Sequence, residues 1–307
     1  MNTIDSILKH CIICPRNCNA DRSSEKKGYC KSNMSYAVSS IVVHKGEEPV
    51  IGGDKGICNV FFSRCNLQCI YCQNYQISCI NENIIENNYS LEEIVTKIKS
   101  ILDTGVNTIG FVSPSHFTAH VKEIINTLNQ ENYFPVTVYN TNAYDKVETL
   151  IELEGLINIY LPDFKYMDAI LSKNLSGAKD YPEIAAKAIK EMYRQKGSTL
   201  VKDVDGNAES GLIIRHLVLP GYIDNSIKVL RYIAEEISTN IHLSLMSQYH
   251  PVKAIEGYPN LNRKLSIEEY NIIINEMDAL GFYRGWVQDM ESSNNYLPDF
   301  DKEHPFE

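Results

Sequence analysis

The chain has 307 residues, 44% of them apolar and 22% charged, the proportions of a soluble globular protein with room for one large core or a core plus an appendage. Its formal net charge of -10 provides no basic field, which disfavours nucleic acid and anionic membranes as partners. The opening MNTIDSILKH has no long apolar stretch, and nowhere do about 18 apolar residues run together, so the expectation is a cytoplasmic protein without a membrane span.

Nine cysteines fall largely in two dense groups, a pattern that reads as metal ligation in a reducing compartment rather than as a disulfide framework. The first group is Cys11, Cys14, Cys18 and Cys30, spaced C-x2-C-x3-C-x11-C within CIICPRNCNADRSSEKKGYC. Four thiolates suit a closed tetrahedral zinc or a [4Fe–4S] cluster, and softness does not choose between them. The spacers are too polar to fold by burial alone, so metal binding would supply the missing folding energy. Residues 1–50 therefore read as a Cys-rich metal-binding segment and 51–307 as the core domain.

From residue 56 onward, apolar strand-like runs alternate with amphipathic helices. The strand candidates are 59–63, 108–113, 135–139, 158–161, 212–219 and 242–246. Between them, SLEE at 90–93 and SIEE at 266–269 are capping boxes, with stops at Gly105 and Gly281. Pro182 fits a first helical position, Arg194 and Lys196 close that helix before Gly197, and a further helix follows Asp224. Six strand–helix units with strands buried on both sides predict an α/β fold, a parallel sheet curled into a partial (βα)6 TIM-like barrel. Its chemistry belongs at the C-terminal ends of the strands.

At the end of the first of these strands lies the run NVFFSRCNLQCIYCQNY, with Cys65, Cys69 and Cys72 spaced C-x3-C-x2-C. Three thiolates can hold three irons of a [4Fe–4S] cluster and leave the fourth iron open, as an open position distinguishes catalytic zinc sites from structural ones. The alternative is a zinc knuckle or a closed cluster that takes Cys58 or Cys79 as its fourth ligand. The spacing, with aromatic Tyr71 just before the third cysteine, resembles the radical S-adenosylmethionine (radical SAM) superfamily. The resemblance implies that S-adenosylmethionine chelates the open iron, is cleaved by one electron to methionine and a 5′-deoxyadenosyl radical, and that the radical abstracts hydrogen from a substrate.

Further runs extend the resemblance over nearly the whole chain. CPRNC, VYNTNAY, LPDFKY, RHLVLPG and MSQYHP resemble pyruvate formate-lyase activating enzyme-like proteins of the PflX type. By that resemblance, Asp163 and Lys165 match an Asp-x-Lys motif, and Asn140, Thr141 and Asn142 match an Asp-Thr-Asn run that helps bind a monovalent cation beside the methionine carboxylate. Asn140 stands where that run has an aspartate. Ser113, Pro114, Ser115 and His116 replace the Gly-Gly-Glu motif that contacts the methionine amino group in much of the superfamily. Arg215 resembles the arginine of the activases' Val-Pro-Gly strand, and His250 the histidine that touches the nucleoside. Strand alternation allows only one of Arg215 and His216 to face the barrel interior, and Arg215 is the fork suited to a carboxylate.

The function expected is a radical SAM oxidoreductase, anaerobic in habit, acting on a protein or peptide backbone in the manner of a glycyl-radical-enzyme activase. Its partners would be a flavodoxin- or ferredoxin-type electron donor and a glycyl radical enzyme or peptide. The rival readings are a radical SAM enzyme acting on a small metabolite and a non-catalytic iron–sulfur electron carrier.

Overall fold

The computed structural model describes residues 3–80, 83–290, 297–302 and 304–306. Its frame is one open sheet built on seven parallel strands: β2 (Ile57–Phe62), β4 (Thr108–Val112), β5 (Val136–Thr141), β6 (Ile159–Pro162), β8 (Ala208–Leu217), β9 (His242–Met246) and β10 (Gly285–Val287). The first six are the strands expected from the sequence. β10 is added beside β9, and its three residues carry too little pattern to read in advance. On the opposite edge β1 (Tyr36–His44) pairs antiparallel with β2, and β3 (Asn87–Tyr89) with β1. The short β7 (Val201–Lys202) pairs antiparallel with β8.

β1 is the main departure from the sequence reading. Its run YAVSSIVVH lies inside the 1–50 segment, yet it is hydrogen-bonded along β2. The sheet therefore begins at Tyr36, and the cysteine-rich part is the stretch before it, with the short helix α1 (Thr3–Lys9) in front.

A single turn, α2 (Tyr75–Ser78), follows Cys72, and the crossovers run through α3 (Leu91–Leu102), α4 (Thr118–Gln130), α5 (Val147–Glu152), α6 (Ala169–Ser176), α7 (Tyr181–Lys196), α8 (Ile223–Glu236) and α9 (Ile267–Ala279). Both capping boxes form. Ser90 Oγ accepts from the Glu93 N–H at 3.2 Å while the Ser90 N–H donates to Glu93 Oε2 at 2.7 Å, and Ser266 and Glu269 repeat the exchange. Each such cap contributes roughly 1 kcal/mol. α3 then buries Ile94, Val95, Ile98 and Leu102, the i, i+4 and i+8 face that its spacing dictates.

The alternation of each strand sorts its side chains into two layers. Outward-facing Val60, Phe62, Ile109, Phe111, Tyr139, Tyr160 and Ile214 pack with the helices in the main core. Inward-facing Ile57, Val138, Ile159 and Ile213 fill the N-terminal end of the barrel in a second cluster. Two residues further along the same faces come Asn59, Asn140, Leu161 and Arg215, and just past the end of β6 Asp163 bridges to Arg215. The interior therefore changes from apolar to polar towards the C-terminal ends. Gly110 sits on this inner face because a Cβ there would come within 2.0 Å of Asn59 Oδ1.

Candidate functional site

Immediately after β2 the chain turns at Arg64, whose φ of 68° is left-handed, a conformation that favours glycine and costs an L-residue of the order of 1 kcal/mol. The Arg64 guanidinium is held by Glu86 at 2.8 Å. The cysteine loop that follows is laced to the end of α6: the Gln68 and Ile70 N–H groups donate to the Ser176 and Leu175 carbonyls at 3.2 and 2.9 Å. Those carbonyls lie in the last turn of α6, where helical partners run out. A helix 100 residues downstream thus fixes the loop.

Cys65, Cys69 and Cys72 all face one cavity of about 220 Å³, partly open to solvent. Each sulfur takes a hydrogen bond from a neutral side chain. Asn142 Nδ2 donates to Cys65 at 3.4 Å, Ser176 Oγ to Cys69 at 3.0 Å and Ser78 Oγ to Cys72 at 3.3 Å. The Leu67 N–H adds a second donor to Cys65 at 3.3 Å. Burial pushes the Cys65 thiol up to about 12, helped by neighbouring Cys69, and Cys69 up to about 11, against the pull of Lys165. Behind Cys69, the Tyr71 and Tyr166 hydroxyls meet at 2.6 Å and Tyr166 meets Ser176 Oγ at 2.7 Å. A hydroxyl chain therefore links Tyr71 to the thiol.

The opposite wall carries charge. Arg215 donates from Nε to Asp163 Oδ1 at 2.8 Å, from Nη2 to Asn140 Oδ1 at 2.7 Å and from Nη1 to Glu47 Oε2 at 3.3 Å. Lys165 Nζ donates to the other Asp163 oxygen at 2.7 Å. Burial alone would raise the Asp163 pKa, but the Arg215 and Lys165 cations outweigh it and hold the carboxyl below its usual range. Burial likewise depresses Lys165, and Asp163 reverses that and raises it. The oxygens that the resemblance offers a monovalent cation thus already face a guanidinium. Glu48 is buried, its Oε2 has no hydrogen-bond partner, and burial raises its pKa.

Of the residues singled out in the sequence, Tyr71, Ser113, Asn140, Thr141, Asp163, Lys165 and Arg215 join the three cysteines around this cavity. Ser115, His116 and His250 are not among its lining residues. Ser113 has a left-handed φ of 55° and starts a short 3-10 turn. That turn places the fully buried His116 against the Ser63 carbonyl at 3.1 Å and Ser115 against Thr141 at 3.0 Å. Burial, with Arg22 alongside, drops the His116 pKa to about 3. Gln248, rather than His250, reaches the cavity from the loop after β9. His216 turns to the helical side and bonds the Phe164 carbonyl at 2.7 Å and Ser226 at 2.8 Å. Sequence reasoning missed Glu47, Ser78 and Ser176. Asn142 was legible only as part of the Asn140–Asn142 run.

Cys11, Cys14, Cys18 and Cys30 line a second, small pocket. Burial pushes the Cys14 thiol up to about 12, with Cys30, Cys11 and Cys18 adding to the rise. Three donors on residues lining this pocket, Arg16 Nη2, Arg22 Nη1 and Ser32 Oγ, are buried without an acceptor. Arg22, which also donates from Nε to Cys11 Sγ at 3.3 Å, and Ser32 thus hold spare donors beside four thiols, which fits a centre that turns the thiols into thiolates. Among the described residues, no three or more His, Cys, Asp or Glu side chains are grouped so as to hold a metal ion as they stand. Among the same residues, no helix is long and apolar enough to cross a membrane.

The chain is 32% identical over 269 residues to an uncharacterized protein of Methanocaldococcus jannaschii, covering 86% of this chain and 73% of that one. Among solved structures, it resembles HydG, a maturase of the [FeFe]-hydrogenase, with a TM-score of 0.50 and 12% identity over 76% of this chain. The match spans 52% of HydG, about half that protein's length. A domain of a pyruvate-formate lyase-activating enzyme from Bacteroides vulgatus aligns with 56% of this chain and 93% of its own at a TM-score of 0.40 and 16% identity. The family model described as the Radical SAM superfamily matches residues 59–231, the stretch that runs from within β2 into α8. Such membership implies a [4Fe–4S] cluster and S-adenosylmethionine, and the three-thiol cavity at the C-terminal end of β2 has the donors for the first. With the family model covering more than half of its length, the chain belongs to the Radical SAM superfamily.

Proposed function

We propose that this protein is a radical SAM oxidoreductase of the glycyl-radical-activase kind, taking hydrogen from a protein or peptide backbone. The observation that carries the reading is the convergence of Cys65, Cys69 and Cys72 on one cavity with Asn140, Asp163, Lys165 and Arg215. When bound, a [4Fe–4S] cluster supplies the electron that splits the sulfonium of S-adenosylmethionine into methionine and a 5′-deoxyadenosyl radical.

The residues divide the remaining work. Cys65, Cys69 and Cys72 would hold three corners of the cluster, with Asn142, Ser176 and Ser78 donating to their sulfurs. Lys165 and Arg215 present the cationic wall for the methionine carboxylate, and Asn140 and Thr141 offer acceptors to its ammonium. Tyr71 and Gln248 shape the cavity beside the cysteine loop. Cys11, Cys14, Cys18 and Cys30 would hold zinc or a second iron–sulfur cluster. The electron comes from a flavodoxin- or ferredoxin-type donor. The opening of the cavity, with half-exposed Gln73, Asn74 and Pro298 among its lining residues, supports an extended loop as substrate over an enclosed metabolite.

Anaerobic reconstitution with iron and sulfide, then incubation with a strong reductant and S-adenosylmethionine, tests the reading. The wild type should release 5′-deoxyadenosine and C69A none. A wild type that binds iron but releases no 5′-deoxyadenosine would leave only an electron carrier.

A further inference from the structure

Arg16 lies between two cysteines of the N-terminal set, in the run Cys14–Pro15–Arg16–Asn17–Cys18, and its backbone N–H bonds the Cys14 sulfur. Its side chain borders the pocket of that set but makes its hydrogen bonds outside it. Nε donates to the Asn66 carbonyl at 2.8 Å and Nη1 to the Gly177 carbonyl at 2.8 Å. The guanidinium lies over the ring of Tyr29 at 3.8 Å and approaches that of Tyr144 at 5.1 Å, contacts that favour arginine over lysine.

Both carbonyls are next to groups that contact the second set of sulfurs. Asn66 directly follows Cys65, and its Oδ1 accepts from the Asn142 amide that also donates to Cys65 Sγ. Gly177 directly follows Ser176, the donor to Cys69 Sγ. Gly177 caps α6 with a left-handed φ of 66°, and a Cβ there would stand 2.9 Å from the Tyr29 hydroxyl. Tyr29 in turn precedes Cys30. The loop bearing the N-terminal cysteines thus reaches two of the three thiols of the cavity through one planar fork.

We propose that Arg16 is a positioning residue coupling the two cysteine centres: metal at Cys11, Cys14, Cys18 and Cys30 fixes the loop bearing Arg16, and Arg16 fixes the hydrogen-bonded environment of the cluster at Cys65, Cys69 and Cys72. The proposal rests on the reading above that the latter thiols hold a cluster. It assigns the N-terminal metal a role at the radical site whether that metal is zinc or iron–sulfur. A change of environment at Cys65 and Cys69 alters the redox equilibrium of the cluster they hold.

Arg16→Gln removes the fork and leaves all four N-terminal cysteines in place. After anaerobic reconstitution, metal analysis in a C65A/C69A/C72A background reads the N-terminal set alone, and EPR with redox titration reads the cluster in the full chain. The expected result is unchanged N-terminal metal content in R16Q, together with altered EPR line shape and a midpoint shifted by about tenfold in the reduction equilibrium, which is about 59 mV for a one-electron couple. Arg16→Lys keeps the charge and fits the same site, so it decides the matter if R16Q fails to fold: it should show the same kind of shift, reduced in size. Wild-type line shape and midpoint in either folded variant would overturn the proposal, as would loss of the N-terminal metal in R16Q. If the wild type itself shows no cluster signal at Cys65, Cys69 and Cys72, the fault lies in the functional reading instead.

Discussion

Ser176 and Cys69, separated by 107 positions in the chain, meet at 3.0 Å with the hydroxyl donating to the sulfur. The contact exists because the last carbonyls of α6 accept the backbone of the cysteine loop, which brings the helix end over the thiol. A donor on a ligating sulfur offsets part of its negative charge, and its loss makes an attached cluster harder to reduce.

Ser176→Ala should therefore lower the cluster midpoint and reduce 5′-deoxyadenosine formation by about 10- to 100-fold, the range typical for outer-shell partners of a metal ligand. Tyr166→Phe cuts the hydroxyl chain one step earlier and should show a smaller shift in the same direction. Redox titration followed by EPR measures both. A midpoint in S176A equal to that of the wild type would show that the hydroxyl contributes nothing to the electronics of the site.

The ion cluster at the other wall gives a separate test. Arg215, 14% exposed, binds Asp163, Glu47 and Asn140 together. Arg215→Met leaves two largely buried carboxylates without that partner, and breaking a buried pair in this way costs up to about 3–5 kcal/mol. Denaturant unfolding should register that loss. Arg215→Lys keeps a charge but lacks the three-way fork, so it should fold better than R215M and still bind S-adenosylmethionine more weakly than wild type by calorimetry. Unchanged affinity in R215K would remove Arg215 from the proposed carboxylate site.

These residues also mark what the sequence could and could not disclose. The cysteine loop was legible because its ligands are close in the chain and follow a strand, so local spacing carries the signal. Arg215 and His216 were separable because alternation along β8 forces neighbours to opposite faces. β1 was hidden by its setting, an apolar run embedded in a polar, cysteine-rich stretch. Ser176 carried no local mark at all, since its role comes from the docking of α6. His116 stood at the expected strand end, but the left-handed Ser113 turns it behind the cavity. Tertiary contact and turn geometry, unlike period and spacing, leave little trace in one sequence.

A further expectation concerns the segment 297–302 and 304–306, which packs across β2. Phe300 and Phe306 approach Phe61 with ring centroids at 5.3 and 5.6 Å, and Phe306 reaches His44 at 4.2 Å. Gln76 adds polar contacts to Asp299 and Asp301 at 3.2 Å and accepts from the Phe300 N–H at 3.0 Å. Pro298 and Phe306 thereby form part of the cavity wall. Phe300 is only 4% exposed, and losing its ring costs about 3–5 kcal/mol, which leaves the segment held by Phe306 and Gln76. Phe300→Ala should release the segment and raise its rate of limited proteolysis while the barrel melts nearly as before. Protection equal to wild type would mean that other contacts hold it.

Three buried histidines set the response to acid. Burial drops His116 to about 3, with Arg22 adding to the effect, and lowers His120 and His216 to about 4 each. In the unfolded chain these imidazoles return to about 6.5 and bind protons first. Their contribution to folding stability should then be complete above about pH 6.5 and decline as the pH falls towards about 4, because at these three groups the unfolded state holds more protons throughout that window. The Asp163 carboxylate, held below its usual range by Arg215 and Lys165, adds its own loss only at lower pH. His216 bonds the Phe164 carbonyl and Ser226, so His216→Gln removes one titrating group while keeping polar atoms in the same space. Its denaturation midpoint should sit below wild type at pH 7.5 and converge on it by pH 5, with the gap tracking the proton that wild type must refuse. A gap constant between pH 7.5 and pH 5 would show that His216 takes up its proton without unfolding the barrel.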